Sequence, residues 1–267
     1  MAAHPDGTPC WADAMLNDLE AGKRFYGGLL GWTFGESEES YGQYITQAYG
    51  PDGRNVAALS PKPDGRMPTV WNLYFASSDI RATAGRIRDA GGQLIMEPMA
   101  VGPFGTMLMA TDPGGAVFGV WQAGTHGGFE ATGVPGSYVW AEVYTRETER
   151  TDPFYEQVLG LAGKRIDDEA VDYRIFVPEG AEVTPDNAVL GRFRMGEGFP
   201  EELPAHFVVY FAVSDADRAA ETVTRLGGRV TMGPMDSPFG RLLLASDDQG
   251  AHFALIDPGA AVGAKPS

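Results

Sequence analysis

The chain repeats itself, and the repeat limits the possible fold more than any other feature. Trp11-Ala-Asp, Phe25-Tyr26 and Leu30-Gly31 return as Trp140-Ala-Glu, Phe154-Tyr155 and Leu159-Gly160 at a constant spacing of 129 residues. A second set matches at a different spacing. Tyr74-Phe75-Ala76, Ser78-Asp79, Gly91-Gly92, Phe104-Gly105 and Asp112 return as Tyr210-Phe211-Ala212, Ser214-Asp215, Gly227-Gly228, Phe239-Gly240 and Asp247, first 136 and then 135 residues on. Short identities held at fixed spacing over such lengths mark a duplication, and duplicated units fold as copies of one supersecondary motif.

Each unit begins with an alternating apolar segment, read as a strand: Trp11 to Met15, Trp71 to Ala76, Trp140 to Tyr144 and Val208 to Ala212. A helix follows in each case. Asn17/Asp18, Ser78/Asp79 and Ser214/Asp215 are the N-cap residues expected there, because a short side-chain oxygen accepts a free N–H of the first turn. Ile80, Ala84, Ile87 and Ala90 recur at helical spacing, so that helix packs one face on a sheet. The Gly-Gly pairs stop two of the helices. Short strands with turns at Pro51-Asp-Gly, Asp112-Pro-Gly-Gly and Asp247-Asp-Gln-Gly complete each unit. The expected class is therefore α+β: four tandem βαβββ modules forming two domains, 1–124 and 137–258. Residues 125–136, rich in Gly and Thr, are expected to link them, and 259–267 to form a flexible tail.

Composition bounds the function classes. Fourteen Phe, ten Tyr and five Trp in 267 residues supply ample core, while a net charge of −16 repels nucleic acid and anionic membrane surfaces. No apolar run reaches the roughly 18 residues a membrane span needs, and the first eight residues lack the pattern of a secretion signal. A cytoplasmic protein is expected, as a monomer or homodimer. Cys10 is the single cysteine, so no internal disulfide or multi-cysteine metal site forms.

The helix bearing Phe-Tyr and Leu-Gly after the first strand, with Asp-Pro-x-Gly before the last, resembles the glyoxalase/bleomycin-resistance/extradiol dioxygenase (vicinal oxygen chelate) superfamily. Gly7-Thr-Pro-x-Trp11 and Trp71-Asn-x-Tyr-Phe-Ala resemble more narrowly an actinobacterial two-domain group labelled glyoxalase-like or "hydroxylase". The resemblance implies that pairs of modules curl into a curved mixed-sheet cradle. It also implies that metal-dependent members draw His, Gln or Glu ligands from the first and last strands. The corresponding first-strand positions here are Trp11, Asn72, Trp140 and Val208, and the last-strand positions are Gly119 and Ala254. A catalytic divalent ion needs about three N, O or S ligands, so no metal is expected in that manner. His4, His126, His206 and His252 show no ligand spacing. Neither Gly-x-Gly-x-x-Gly nor a P-loop appears, and no cofactor is expected.

Strand alternation then decides what lines each cradle. Trp11 shares its face with Asp13, Asn72 with Tyr74, and Gly119 with Trp121. In the second half Trp140, Glu142 and Tyr144 join Tyr210 and His252. Trp11, Asp13, Asn72, Tyr74, Phe104, Trp121, Trp140, Tyr144 and Phe239 are the ligand-binding candidates. Glu142, Tyr210 and His252 are the candidates for proton handling, since a carboxylate against an aromatic wall has its pKa raised by desolvation. Each has a structural alternative: the aromatics as core, Asp13 and Glu142 as a shared hydrogen-bonding position, and Phe104 and Phe239 as packing anchors rather than lids.

Aromatic walls with isolated polar groups suit a flat, mostly apolar ligand. The expected function is metal-independent binding of a hydrophobic aromatic small molecule, natural-product-like, for resistance or delivery. Two alternatives stand beside it. One is a metal-independent enzyme of secondary metabolism that assists hydroxylation, cyclisation or isomerisation of a polyketide-like substrate. The other is a metal-dependent lyase or dioxygenase with atypical ligands.

Overall fold

The computed structural model describes residues 4–36, 38–40, 43–166 and 171–263. The last four residues of the expected tail, 264–267, lie outside them. The first domain runs β1 (Pro9–Leu16), α1 (Leu19–Leu30), β2 (Thr33–Phe34), β3 (Glu38–Ser40), β4 (Gln43–Tyr49) and β5 (Asn55–Pro61). Its second module is β6 (Val70–Ala76), α2 (Ile80–Asp89), β7 (Gln93–Val101), β8 (Gly105–Thr111) and β9 (Val117–Ala123). The second domain repeats this as β10 (Tyr138–Thr145), α3 (Thr148–Leu159), β11 (Leu161–Ile166), β12 (Tyr173–Pro178), β13 (Leu190–Arg194), β14 (His206–Ala212), α4 (Ala216–Arg225), β15 (Arg229–Ser237), β16 (Gly240–Ser246) and β17 (His252–Asp257). A 3₁₀ turn, Pro258–Ala260, follows β17. The four βαβββ modules of the α+β reading are all present.

Local chemistry sets the helix ends. Asp18, Asp79 and Asp215 cap α1, α2 and α4, each carboxylate accepting from a first-turn N–H. Glu147 precedes α3 without such a bond. Gly31 and Gly160 end α1 and α3 in the left-handed region, at φ 71° and 62°, which accounts for the repeated Leu-Gly.

Each domain is one mixed sheet. The order is β2-β4-β5-β1-β6-β9-β8-β7 in the first, with β3 on β4, and β11-β12-β13-β10-β14-β17-β16-β15 in the second. The two first strands pair antiparallel at the centre, β1 with β6 and β10 with β14, while each also runs parallel to the last strand of its own module.

Because neighbouring strand residues point to opposite faces, each sheet has two different sides. Trp71, Phe75 and Phe118 leave the back of the first sheet and meet Phe207 and Phe211 from the second sheet and Phe154 and Tyr155 from α3. Trp71–Phe211 centroids are 4.9 Å apart, and Phe75–Phe207 5.9 Å. One continuous apolar core results. Its polar locks are the repeated motifs themselves. Tyr26 Oη donates to Asp247 Oδ2 at 2.9 Å, and Tyr155 Oη donates to Asp112 Oδ2 at 2.7 Å. The other oxygen of each aspartate accepts two backbone N–H groups of its own turn. The Phe-Tyr and Asp-turn motifs thus join helix of one domain to turn of the other, and the two concave faces open away from each other.

Candidate functional site

Both concave faces have a carboxylate at the centre of their first strand. In the first cup, Asp13 Oδ1 accepts from Asn72 Nδ2 and Oδ2 from the Tyr74 hydroxyl, each at 2.8 Å. The register that pairs Asp13 with Asn72 across β1 and β6 puts these groups side by side. Burial raises the Asp13 pKa above the ordinary carboxylate value, against the opposing effect of its two hydrogen bonds. Burial and the nearby carboxylate together push the Tyr74 phenol up as well.

Above Asp13 lies a cavity of about 280 Å³. Trp11, Phe104, Trp121 and Met107 form its apolar walls, and Gln47, Asn55, Thr125 and His126 contribute polar groups. His126 comes from the segment expected to be a plain linker. That segment is a strap held on both sides of the cup. His126 N donates to Phe104 O at 3.1 Å, and Trp121 Nε1 donates to His126 O at 3.0 Å. Further along, Phe129 N donates to Cys10 O, Glu130 N to Asn55 O, and Asn55 N to Glu130 Oε2 at 2.7 Å. The His126 ring therefore stands edge-on to Trp11, with centroids 4.4 Å apart. Burial lowers its pKa below the ordinary imidazole value.

The second cup is built on the same register, with an apolar cluster packed around its carboxylate. Glu142 Oε1 accepts from the Tyr173 hydroxyl at 2.6 Å and from Trp140 Nε1 at 3.3 Å, and Oε2 from the Tyr210 hydroxyl at 2.7 Å. Burial, with the carboxylate beside them, raises the pKa of Tyr173 and Tyr210. Tyr173 reaches Glu142 because Gly191 carries no side chain: a Cβ there would stand 2.2 Å from the Tyr173 oxygen. Tyr144 stacks on Phe193 at 5.0 Å and on His206 at 5.4 Å. Phe199 and Leu203, from the loop between β13 and β14, pack onto the same cluster with Met195. Arg146 fastens that loop, donating to Leu203 O and Pro200 O at 2.7 Å each.

The structure thus brings together Trp11, Asp13, Asn72, Tyr74, Phe104 and Trp121 in one cup, and Trp140, Glu142, Tyr144 and Tyr210 in the other. His252 stands apart. It is exposed at the start of β17, near His206, and the hydrogen bonds that Glu142 accepts come from Tyr173, Trp140 and Tyr210. Phe239 is 39% exposed, whereas its repeat counterpart Phe104 lines the cavity. Sequence reasoning misses Tyr173 and Asn55 and reads His126 as a linker histidine without ligand spacing. Tyr173 lies in a module with few repeat identities, and His126 in a segment with no counterpart. Cys10 is buried, which pushes its thiol up and leaves it unsuited to nucleophilic work.

The fold type raises the question of a metal, and the donor set does not fit one. Asp13 and Glu142 already have both oxygens engaged by neutral donors. A side chain at Gly119, the last-strand ligand position, would fall 2.1 Å from the Tyr74 ring. Among the described residues no group of three or more His, Cys, Asp or Glu is placed to share an ion.

Comparison with known proteins agrees with this architecture. The chain is 35% identical over 284 residues to the "Anthracycline biosynthesis protein DauV" of Streptomyces sp. (strain C5), covering 99% of this chain and 100% of that protein. It is 35% identical over 257 residues to the "Putative glyoxylase CFP32" of Mycobacterium tuberculosis (strain CDC 1551 / Oshkosh), covering 94% and 95%. Among solved structures, the Mn(II)-bound glyoxalase from Novosphingobium aromaticivorans superposes with a TM-score of 0.62 at 16% identity, covering 96% of this chain and 86% of that one. The 2,3-dioxygenase LapB from Pseudomonas sp. KL28 gives 0.64 at 15%, covering 97% and 93%. At such identities the two structures share the fold with this chain. Residues 11–120 and 137–255 each match one family, and the chain belongs to the Glyoxalase/Bleomycin resistance protein/Dioxygenase superfamily.

Proposed function

We propose that the first cup binds a flat, aromatic, natural-product-like molecule without the help of a metal ion, and that the chain serves its delivery or sequestration. The observation that carries this is the cavity between Trp11, Phe104 and Trp121 with a hydrogen-bonded acid beneath it. Aromatic faces stack on flat ligands, and a few fixed polar groups orient them. A volume of about 280 Å³ is near the lower end of small-molecule pockets, which begin at roughly 300 Å³. It suits two or three fused rings, or one end of a longer skeleton. Relatives named for anthracycline biosynthesis support the same chemistry, because an anthracycline nucleus is a row of fused, oxygen-bearing rings. In this reading the second cup is a scaffold.

The test is a tryptophan-fluorescence titration with an anthracyclinone before and after treatment with a chelator. Saturable quenching that survives chelation, and weakens in Trp11→Phe, is the expected result. Quenching abolished by the chelator would put a metal back into the site.

A metal-independent tailoring enzyme is the second reading, favoured by a buried carboxyl, Asp13, on the cavity floor, whose pKa burial raises and whose two oxygens are held by Asn72 and Tyr74. The Glu142–Tyr210 pair, with His252 beyond it, is the corresponding candidate in the second cup. Product analysis with Asp13→Asn and Glu142→Gln separates the two sites. Unchanged turnover in a variant removes its residue from the catalytic set.

A further inference from the structure

Two buried polar atoms in the first cup have no hydrogen-bond partner among the described residues. Asn55 is 8% exposed; its Nδ2 donates to Gln47 Oε1 at 2.8 Å, while its Oδ1 has no partner. His126 Nε2 is likewise enclosed and unpartnered. Both residues line the cavity, one from β5 and one from the strap. Native proteins rarely leave such atoms unpaired, and each one that is left calls for an explanation. The carboxylate below does not need them, since its own oxygens are taken.

The surrounding hydrogen bonds hold both groups in place. Asn55 is fixed by its side-chain bond to Gln47, by its carbonyl accepting from Glu130 N at 2.9 Å and by its N–H donating to Glu130 Oε2 at 2.7 Å. His126 is fixed by Phe104 and Trp121, and its ring is braced against Trp11. A preorganised, unsatisfied pair in an otherwise aromatic cavity discriminates between ligands of one shape by their hydrogen-bonding edge, because a ligand that lacks the group leaves the protein atom bare.

We infer that Asn55 and His126 form a hydroxyl-recognising subsite, and that the first cup selects hydroxylated aromatic ligands over apolar ones of the same outline. A ligand hydroxyl or N–H donates to Asn55 Oδ1, which can only accept; a hydroxyl at His126 either gives or takes the proton, whichever the ring tautomer requires. The inference rests on the first cup being the ligand site. It adds which chemical edge the ligand turns towards the strap.

A matched pair of probes tests it: 2,6-dihydroxynaphthalene and 2,6-dimethylnaphthalene, nearly equal in shape and different in donors, titrated by calorimetry or fluorescence. His126→Phe keeps the ring against Trp11 and removes the nitrogen; Asn55→Leu removes the acceptor. Thermal melts establish that each variant is folded. In both variants the diol is expected to weaken by about tenfold or more relative to the dimethyl compound, whose own affinity holds or rises. If both probes shift by the same factor in both variants, the subsite is overturned and the cup remains a binding site. If neither probe binds the unmodified protein, the cup reading fails and this inference fails with it.

Discussion

The two cups are one construction carried out in two ways. Each places a carboxylate at the centre of its first strand and a tyrosine opposite, Asp13 with Tyr74 and Glu142 with Tyr210. In the first, the remaining oxygen is satisfied by Asn72 from the partner strand, which leaves the space above free. In the second, Val208 stands in the Asn72 register, and the missing donor comes from Tyr173, whose ring enters the cup to reach Glu142. The loop carrying Phe199 and Leu203 packs onto the cluster there. The second donor to the central carboxylate thus comes from the sheet floor in one cup and from the side in the other, and with it the groups that stand over the acid differ.

The largest effect is expected where that bracing is removed. Glu142→Leu strands the hydroxyls of Tyr173 and Tyr210 and the Trp140 N–H, and should cost roughly 3–5 kcal/mol in urea denaturation while ligand affinity in the first cup is unchanged. A loss below about 1 kcal/mol would mean that the acid does not hold the second cup together. Truncating the plug, Phe199→Ala with Leu203→Ala, should cost about 2–4 kcal/mol and open a second binding event reported by Trp140. A titration that stays one-site would show that the plug is not what separates the cups. Next comes the pair of repeated Phe-Gly turns. Phe104→Ala should weaken the aromatic ligand by about tenfold, whereas Phe239→Ala should leave it untouched; equal effects would erase the distinction between the domains.

The smallest effect is a pH dependence. Burial raises the Asp13 pKa, so the folded chain holds that proton more tightly than the unfolded chain. The stability of the natural protein relative to Asp13→Asn should therefore be greatest below the ordinary carboxylate range. It should fall as pH rises through the raised value. Paired denaturation curves from acid to neutral pH check the sign, and a difference that grows with pH contradicts it.

The fold was legible because repeats compare like with like. Trp11 with Trp140 and Tyr74 with Tyr210 mark the same strand positions, and the four modules follow from their spacing. The same comparison is blind to which copy packs on which, so the Tyr26–Asp247 and Tyr155–Asp112 bonds were not visible in it. The cup-lining residues of the first strands were readable from alternation alone. Tyr173 was not, since its counterpart by strand register is Ile45. His126 was out of reach for a different reason: it is in the cup because the strap bonds to Phe104 and Cys10 on either side, and nothing local predicts that. The plug did leave a trace. The rise in repeat spacing from 129 to 136 falls between Leu159 and Tyr210, where the loops flanking β13 are longer than those flanking β5.

The Tyr–Asp bonds that cross between the halves have an evolutionary corollary. In a dimer of identical subunits, every substitution appears in both copies, so a residue that blocks one site blocks its mate. Here the halves are covalently one molecule and are encoded separately. Each half is therefore free to change what stands over its own carboxylate, with the shared interior that both require left intact.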